Sequence, residues 1–355
     1  MQGTDLRAQY RRHIRRKLLA GVVLLVLIGG GVTVSLRTGA YPIDFSDVAG
    51  AVLGRGDEST RHVIWGIRLP QVVAALLAGA CLGLAGTAMQ NVLRNPLASP
   101  FTLGISHGAV FGATFAIVVL GVGSSTASAS AGDASSSPHV IVVCAFAGSL
   151  VTVIALVLLS ALRDLSPAAL ILAGVAISAF FGSATMLLQY FATDIEVASA
   201  VFWTFGDLRK AQWPELGTIA VVLVPAGVCF LWRAWQFNAM NWGDDTARSL
   251  GVSVHWLRLT TLVLAALAAS VTTAFMGIIG FVGLMAPHLV RMVIGQDHRF
   301  LLPYAALAGG LLLVVSDLLA RTVMAPVILP VGILTSFAGG PIFLYLLMRH
   351  RAPGS

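Results

Sequence analysis

Few side chains in this sequence are equipped for chemistry, and their spacing argues against most of the chemistry they could do. The 355 residues hold 15 Asp or Glu and 22 Lys or Arg. Lysine occurs only at 17 and 210, and neither follows a glycine. The Gly-Lys-Ser/Thr ending of a phosphate-binding loop is therefore missing, and any ATP used here must be held by another chain. No His-Glu-x-x-His occurs, so a zinc protease of that type lacks its signature. His107 has no second His, Cys or carboxylate at ligand spacing on its helix. Cys81, Cys144 and Cys229 lie inside apolar runs and are odd in number, which reads as buried free thiols. His288, beside Pro287, reads as a packed, hydrogen-bonded histidine. No residue is read as a catalytic nucleophile, and the chain is not expected to be an enzyme.

Charges inside apolar runs are more informative, because each is expensive in lipid unless paired or hydrated. Asp317 and Arg321 stand four residues apart, on one helix face, and read as an intrahelical ion pair. The sharper alternative is an ion-coupled secondary transporter that relays through Asp317. Arg68 sits at the outer end of a span, where its long side chain could snorkel.

The elements that must position these groups follow from composition. Hydrophobic residues make up 57% and charged residues 10%, far below the roughly 25% charged of soluble proteins. Repeated apolar runs near spanning length make this an all-α, polytopic membrane protein with about ten transmembrane helices, N- and C-termini cytoplasmic. The net charge of +7 is carried mainly by arginines scattered at span ends, with no aromatic-basic groove, so no nucleic-acid partner is expected. Residues 1–17 form a basic cytoplasmic segment that anchors the first span, 18–36, by the positive-inside rule. Further spans are expected at about 63–90, 101–121, 139–162, 170–191, 214–233 and 259–275. An eighth descends through Pro287 to about 294, a ninth ends near Arg321, and a tenth covers 331–348. The permease domain is thus 18–348, followed by a cytoplasmic tail, 349–355. Gly104, Gly108 and Gly112 form a small-residue ridge for close packing. Residues 124–138, rich in Ser, Ala and Gly, read as an external loop, and Gly277 and Gly280 as an outside turn. A short helix is expected through 201–205.

One polar stretch, 241–252, interrupts the apolar pattern after six spans. Gly243 and Asp244 can cap a short helix, Asp244 and Asp245 suit its positive end, and Gly251 can end it in a left-handed turn. Ala247 and Leu250, three residues apart, read as one side that meets a partner.

An ordered set of motifs resembles the FecCD family of bacterial ABC-importer permeases for iron-siderophore, haem and vitamin B12 uptake. The set includes Arg68-Leu-Pro70, Arg94-Asn-Pro-Leu-Ala-Ser-Pro100, Gly243-Asp-x-x-Ala-x-x-Leu-Gly251, Pro287-His288, Asp297-His-Arg299 and Leu329-Pro-Val-Gly332. The resemblance covers nearly the whole chain after about residue 40. It implies a ten-helix subunit paired with a second permease subunit, identical or not, in the cell inner (plasma) membrane. Two cytosolic ATPases, carrying the ATP and Mg, would dock beneath, and a periplasmic or lipid-anchored binding protein would deliver substrate. No cofactor is implied on this chain. The resemblance makes Gly243, Asp244, Ala247, Leu250 and Gly251 the coupling helix against the ATPase. It makes Arg68 and Arg321 docking residues for the binding protein, and Asn95 and Leu97 part of a cytoplasmic gate. Two places depart from the family pattern. Ser166-Pro-Ala-Ala169 lacks the small polar gate residues, and Ile328-Leu329 stands where relatives often carry Glu-Leu-Pro.

Overall fold

The computed structural model describes residues 2–39, 41, 43–55, 57–122, 138–163 and 166–349. The serine-rich stretch 124–138 and the tail 349–355 lie outside these residues, apart from 138 and 349. Among the described residues, seven helical stretches are long and apolar enough to cross a membrane. Three shorter apolar helices, α5 (Ile105–Val118), α13 (Val282–Ile294) and α15 (Val331–Arg349), complete the ten expected spans. Among the described residues the only β feature is an isolated bridge between Phe205 and Ile278.

The centre of the fold is α4 (Leu69–Val92), whose apolar residues face neighbours all round. Against it pack α14 (His298–Thr322), α12 (Val254–Met276) and α13. In lipid, apolar surface alone does not drive helices together, so close approach of small residues takes over. A Cβ on Gly79 would stand 2.2 Å from the Gly309 carbonyl oxygen, and one on Gly83 2.2 Å from that of Ala305. The same device joins α5 to α6 (Pro138–Arg163), where a Cβ on Gly108 would meet the Gly148 carbonyl at 2.5 Å. Of the expected glycine ridge, Gly108 and Gly112 serve this contact. Gly104 does not, because it precedes the helix with φ of 83° and faces Ser178 on α7 (Pro167–Tyr190).

α5 holds 14 residues, about 21 Å at 1.5 Å per residue, which is shorter than a bilayer core of about 30 Å. Irregular backbone extends such short spans, and it is tolerated where protein satisfies it. Residues 277–281, between α12 and α13, meet that condition. Expected as an outside turn, they form an irregular, partly buried segment with positive φ at Gly277 (79°) and Phe281 (64°). The Ile278 N–H donates to the Thr204 carbonyl (3.1 Å), at the end of α8 (Asp194–Thr204). Asp207 N–H donates to Met276 (2.8 Å), and Gly332 N–H, on α15, donates to Gly206 (3.0 Å). The short helix expected at 201–205 is the end of α8. That helix begins earlier because Thr193 and Glu196 form a reciprocal capping box.

α1 (Gln2–Arg37) lies along α14. The first span is followed by α2 (Phe45–Val52) and α3 (Glu58–Val63). From α3 the chain passes through one π-helical turn, Ile64–Arg68, into α4. Pro70, in the first turn of α4, has no N–H to continue a regular ladder, and the wider turn sets Arg68 inward.

Candidate functional site: the two ends of the span bundle

At one end of α4, a polar platform surrounds the stretch 241–252. α9 (Trp213–Trp232) leads into α10 (Ala234–Met240) and then α11 (Asp244–Ser249), which is shorter than the expected segment. Gly243 enters α11 with φ of 105°, without a side-chain cap. At the far end Gly251 (φ 84°) donates to Arg248 and Val252 to Ala247, each at 2.9 Å. This pattern closes the helix C-terminus with a left-handed residue, as the glycine predicts. Ala247 and Leu250 do not share an exposed face. Ala247 is 0% exposed and packs into the core with Phe237, Met240 and Val252, whereas Leu250 is 56% exposed. Asp245 is almost fully exposed and pairs with Arg248 at 3.2 Å.

The same end carries the turn after α4. Arg94 adopts φ of 47°, its N–H donates to Asn91 (3.0 Å), and the Asn95 N–H donates to Gln90 (3.1 Å). Asn95 Oδ1 then accepts from the Leu97 N–H at 2.8 Å and fixes the turn. A cavity of about 680 Å3 lies between this turn and α13, lined by Asn95, Leu97, His288, Arg291 and Phe343 among others. A more polar one of about 310 Å3 adjoins it, bordered by Asn91, Arg94, Asn241 and His298. Arg291 borders both and donates to Gln90 Oε1 at 3.0 Å.

Asp297, unmarked by any role in the sequence reading, is a hub of this platform. Its oxygens accept from Asn238 on α10 (3.0 Å), from Arg299 (3.0 and 3.1 Å) and from Lys17 on α1 (3.4 Å). Burial raises the Asp297 carboxyl, but Arg299, Asn238 and Lys17 outweigh it and hold it well below the ordinary carboxylate range. The signal for it was the motif Asp297-His-Arg299, which supplies an acid and a base two residues apart.

At the opposite end of α4, the two arginines expected to dock a binding protein are spent inside the chain. Arg68 is 4% exposed, and it donates to the carbonyls of Leu36 (2.7 Å), Arg37 (2.9 Å) and Tyr41. Arg321 pairs with Asp317 at 2.9 Å, as the i,i+4 spacing predicts, and reaches Thr38 O at 3.1 Å and Ser35 Oγ. Asp317 Oδ1 accepts from Gln71 Nε2 at 2.7 Å. Both guanidinium groups therefore clamp the end of α1 and are turned away from the surface. Sequence spacing located the pair but not α1 as its target, which lies nearly 290 residues away in sequence. Asp317, held on both sides, is a poor relay, and ion-coupled transport is not favoured.

The thiols differ from expectation in part: Cys81 is buried, while Cys144 and Cys229 are half-buried. The sequence does contain one Gly-x-Ser-x-Gly, Gly104-Ile-Ser-His-Gly108, and the structure removes its catalytic meaning. Ser106 is buried in the first turn of α5, and a 3-10 turn rather than a strand precedes it, so no nucleophile elbow forms. Among the described residues no group of three His, Cys, Asp or Glu could hold a metal.

Among the described residues, seven long and three shorter apolar helices define a multi-pass membrane protein. A profile of the FecCD transport family matches residues 23–349, and the chain belongs to that family. A protein of Methanocaldococcus jannaschii, provisionally described as an ABC transporter permease, is 47% identical over 345 residues, covering 97% of this chain and 98% of its own. The hemin transport system permease of Yersinia pestis is 38% identical over 350 residues, covering 96% and 98%. A solved ABC transporter, provisionally of metal-chelate type and inward-facing, superposes with a TM-score of 0.80 at 30% identity, covering 94% of this chain and 99% of that one. The chain is accordingly a permease of the ABC-importer kind.

Proposed function

We propose that this chain pairs with a second permease subunit in the cell inner (plasma) membrane and imports an iron chelate. Ferric siderophore is the first choice of cargo, with haem or cobalamin as alternatives. Two cytosolic ATPases bind the ATP and Mg, and a periplasmic or lipid-anchored binding protein delivers the cargo from the other side. The α11 end faces the cytoplasm, in keeping with the basic residues 7–17 in the first half of α1. The observation that carries the reading is α11 itself. It is a helix of six residues, seated through buried Ala247 and presenting Asp245, Arg248 and Leu250 outward. On this reading Gly243, Asp244, Ala247, Leu250 and Gly251 form the coupling element, with Ala247 as its anchor and Leu250 on the contact side. ATP binding moves α11, the spans rock, and the turn carrying Asn95 and Leu97 opens or closes the inner mouth. Arg68 and Arg321 support the outer end by holding α1, so the binding protein meets surfaces those two arginines organise.

The chain, tagged and extracted in mild detergent, should bring down an ATPase and a second permease subunit. Reconstituted with the binding protein, the complex should take up labelled ferric siderophore faster than haem or cobalamin, and only with ATP. Uptake by the purified chain alone, driven by an ion gradient, would sink the proposal.

A further inference from the structure

Arg258 received no role in the sequence reading, yet its buried side chain bridges α11 and the end of α4. Its side chain is 7% exposed, and Nη2 meets Asp244 Oδ2, at the first residue of α11, at 2.9 Å. Its Nε donates to the Val92 carbonyl, at the last residue of α4, at 3.2 Å. That carbonyl is one of the four that a helix end leaves without an intrahelical partner. The next residues, Leu93 and Arg94, lead directly to Asn95 and Leu97. The second Asp244 oxygen lies 4.0 Å from Arg94, so the acid touches the turn from the other side as well. One buried guanidinium on α12 therefore joins the start of α11, the end of α4 and its own helix.

Resting on the reading of α11 as the ATPase contact, we propose that Arg258 is the positioning residue that transmits α11 displacement to the Asn95–Leu97 turn. Packing through Ala247 holds α11 against the core, but apolar contact is non-directional and permits sliding. Charge-assisted hydrogen bonds in a fixed fork resist that sliding, which a lysine ammonium cannot reproduce at two acceptors on different helices. Arg258 is too deep to touch a docking ATPase, so its effect separates transmission from docking.

The test uses the full complex in nanodiscs, so both faces are reachable, with Cys144 and Cys229 replaced by serine and Leu97→Cys as the reporter. Labelling of Cys at 97 by a hydrophilic maleimide is measured without nucleotide and with a non-hydrolysable ATP analogue. The parent should change its labelling rate roughly tenfold on nucleotide binding, the scale set by one charged hydrogen bond. Arg258→Gln should abolish that response while the ATPase still copurifies and still hydrolyses ATP. Arg258→Lys, which keeps the pair with Asp244 but not the reach to Val92, should give an intermediate response. Because Arg258→Gln strands the Asp244 charge, Asp244→Asn/Arg258→Gln is the folding control, and it should also lack the response while melting near the parent. A full nucleotide response in either Gln variant overturns the strut, as does loss of response only in proportion to lost ATPase. A parent that binds no ATPase overturns the underlying reading, and the strut with it.

Discussion

Asp297 illustrates what a single carboxylate does when three elements converge on it. Lys17 on α1, Asn238 on α10 and Arg299 on α14 all donate to it, and together they hold its proton affinity down. A group whose pKa is depressed by folding stabilises the folded state above its unfolded value, about 3.9 for Asp. That contribution is lost as pH falls through the folded value. Asp297→Asn should therefore melt below the parent at neutral pH, and the gap should close as pH drops below about 4. Thermal melts in detergent across that range check it; a gap that persists unchanged at low pH would show that charge is not the cause. The ion pair Asp317–Arg321 could be read from spacing alone, since i and i+4 fix the geometry. Its further partners could not, because Ser35 and Thr38 reach it only through the tertiary docking of α1.

Among elements, α4 and α1 make opposite demands. α4 is gripped by backbone contact, so it tolerates no added volume where it crosses α14. Gly79→Val should separate the two helices and sharply lower the melting temperature, because the carbonyl 2.2 Å from the new Cβ cannot move aside cheaply. Gly30→Val, in α1 with open space around its site, is the matched control and should melt as the parent does. α1 is instead held at its end by Arg68 and Arg321. Arg68→Glu with Arg321→Glu should release that end, seen as faster proteolysis near residues 38–43, well before α4 unfolds. An unchanged cleavage rate would argue that these arginines do not clamp α1. The long spans were legible because twenty or so apolar residues admit one explanation in lipid. α10 was not foreseen, since a seven-residue helix after Arg233 leaves too short a periodic signal. Ala247 was placed on the wrong side of α11 for a related reason. Over six residues, spacing says which positions share a face but not which face is buried.

For the molecule as a whole, the sequence announced a permease by composition, absent phosphate loop and ordered motifs, and the family match agrees with it. The stretch 241–252 and the Asn95 turn were legible as separate motifs. Their connection through Arg258 was not, since it joins positions 166 residues apart in the chain. The irregular segment 277–281 has a consequence for how the protein is made. Its Ile278 N–H donates to Thr204, Asp207 donates to Met276 just before it, and Gly332 completes the arrangement by donating to Gly206. An unpaired backbone group away from water is costly, so this arrangement is complete only when all three segments are present. The bonds of Ile278 to Thr204 and of Asp207 to Met276 need no residue of α15, whereas the Gly206 carbonyl must wait for Gly332. α15 thus closes a contact with a stretch that lies before α9 in the chain, at Gly206.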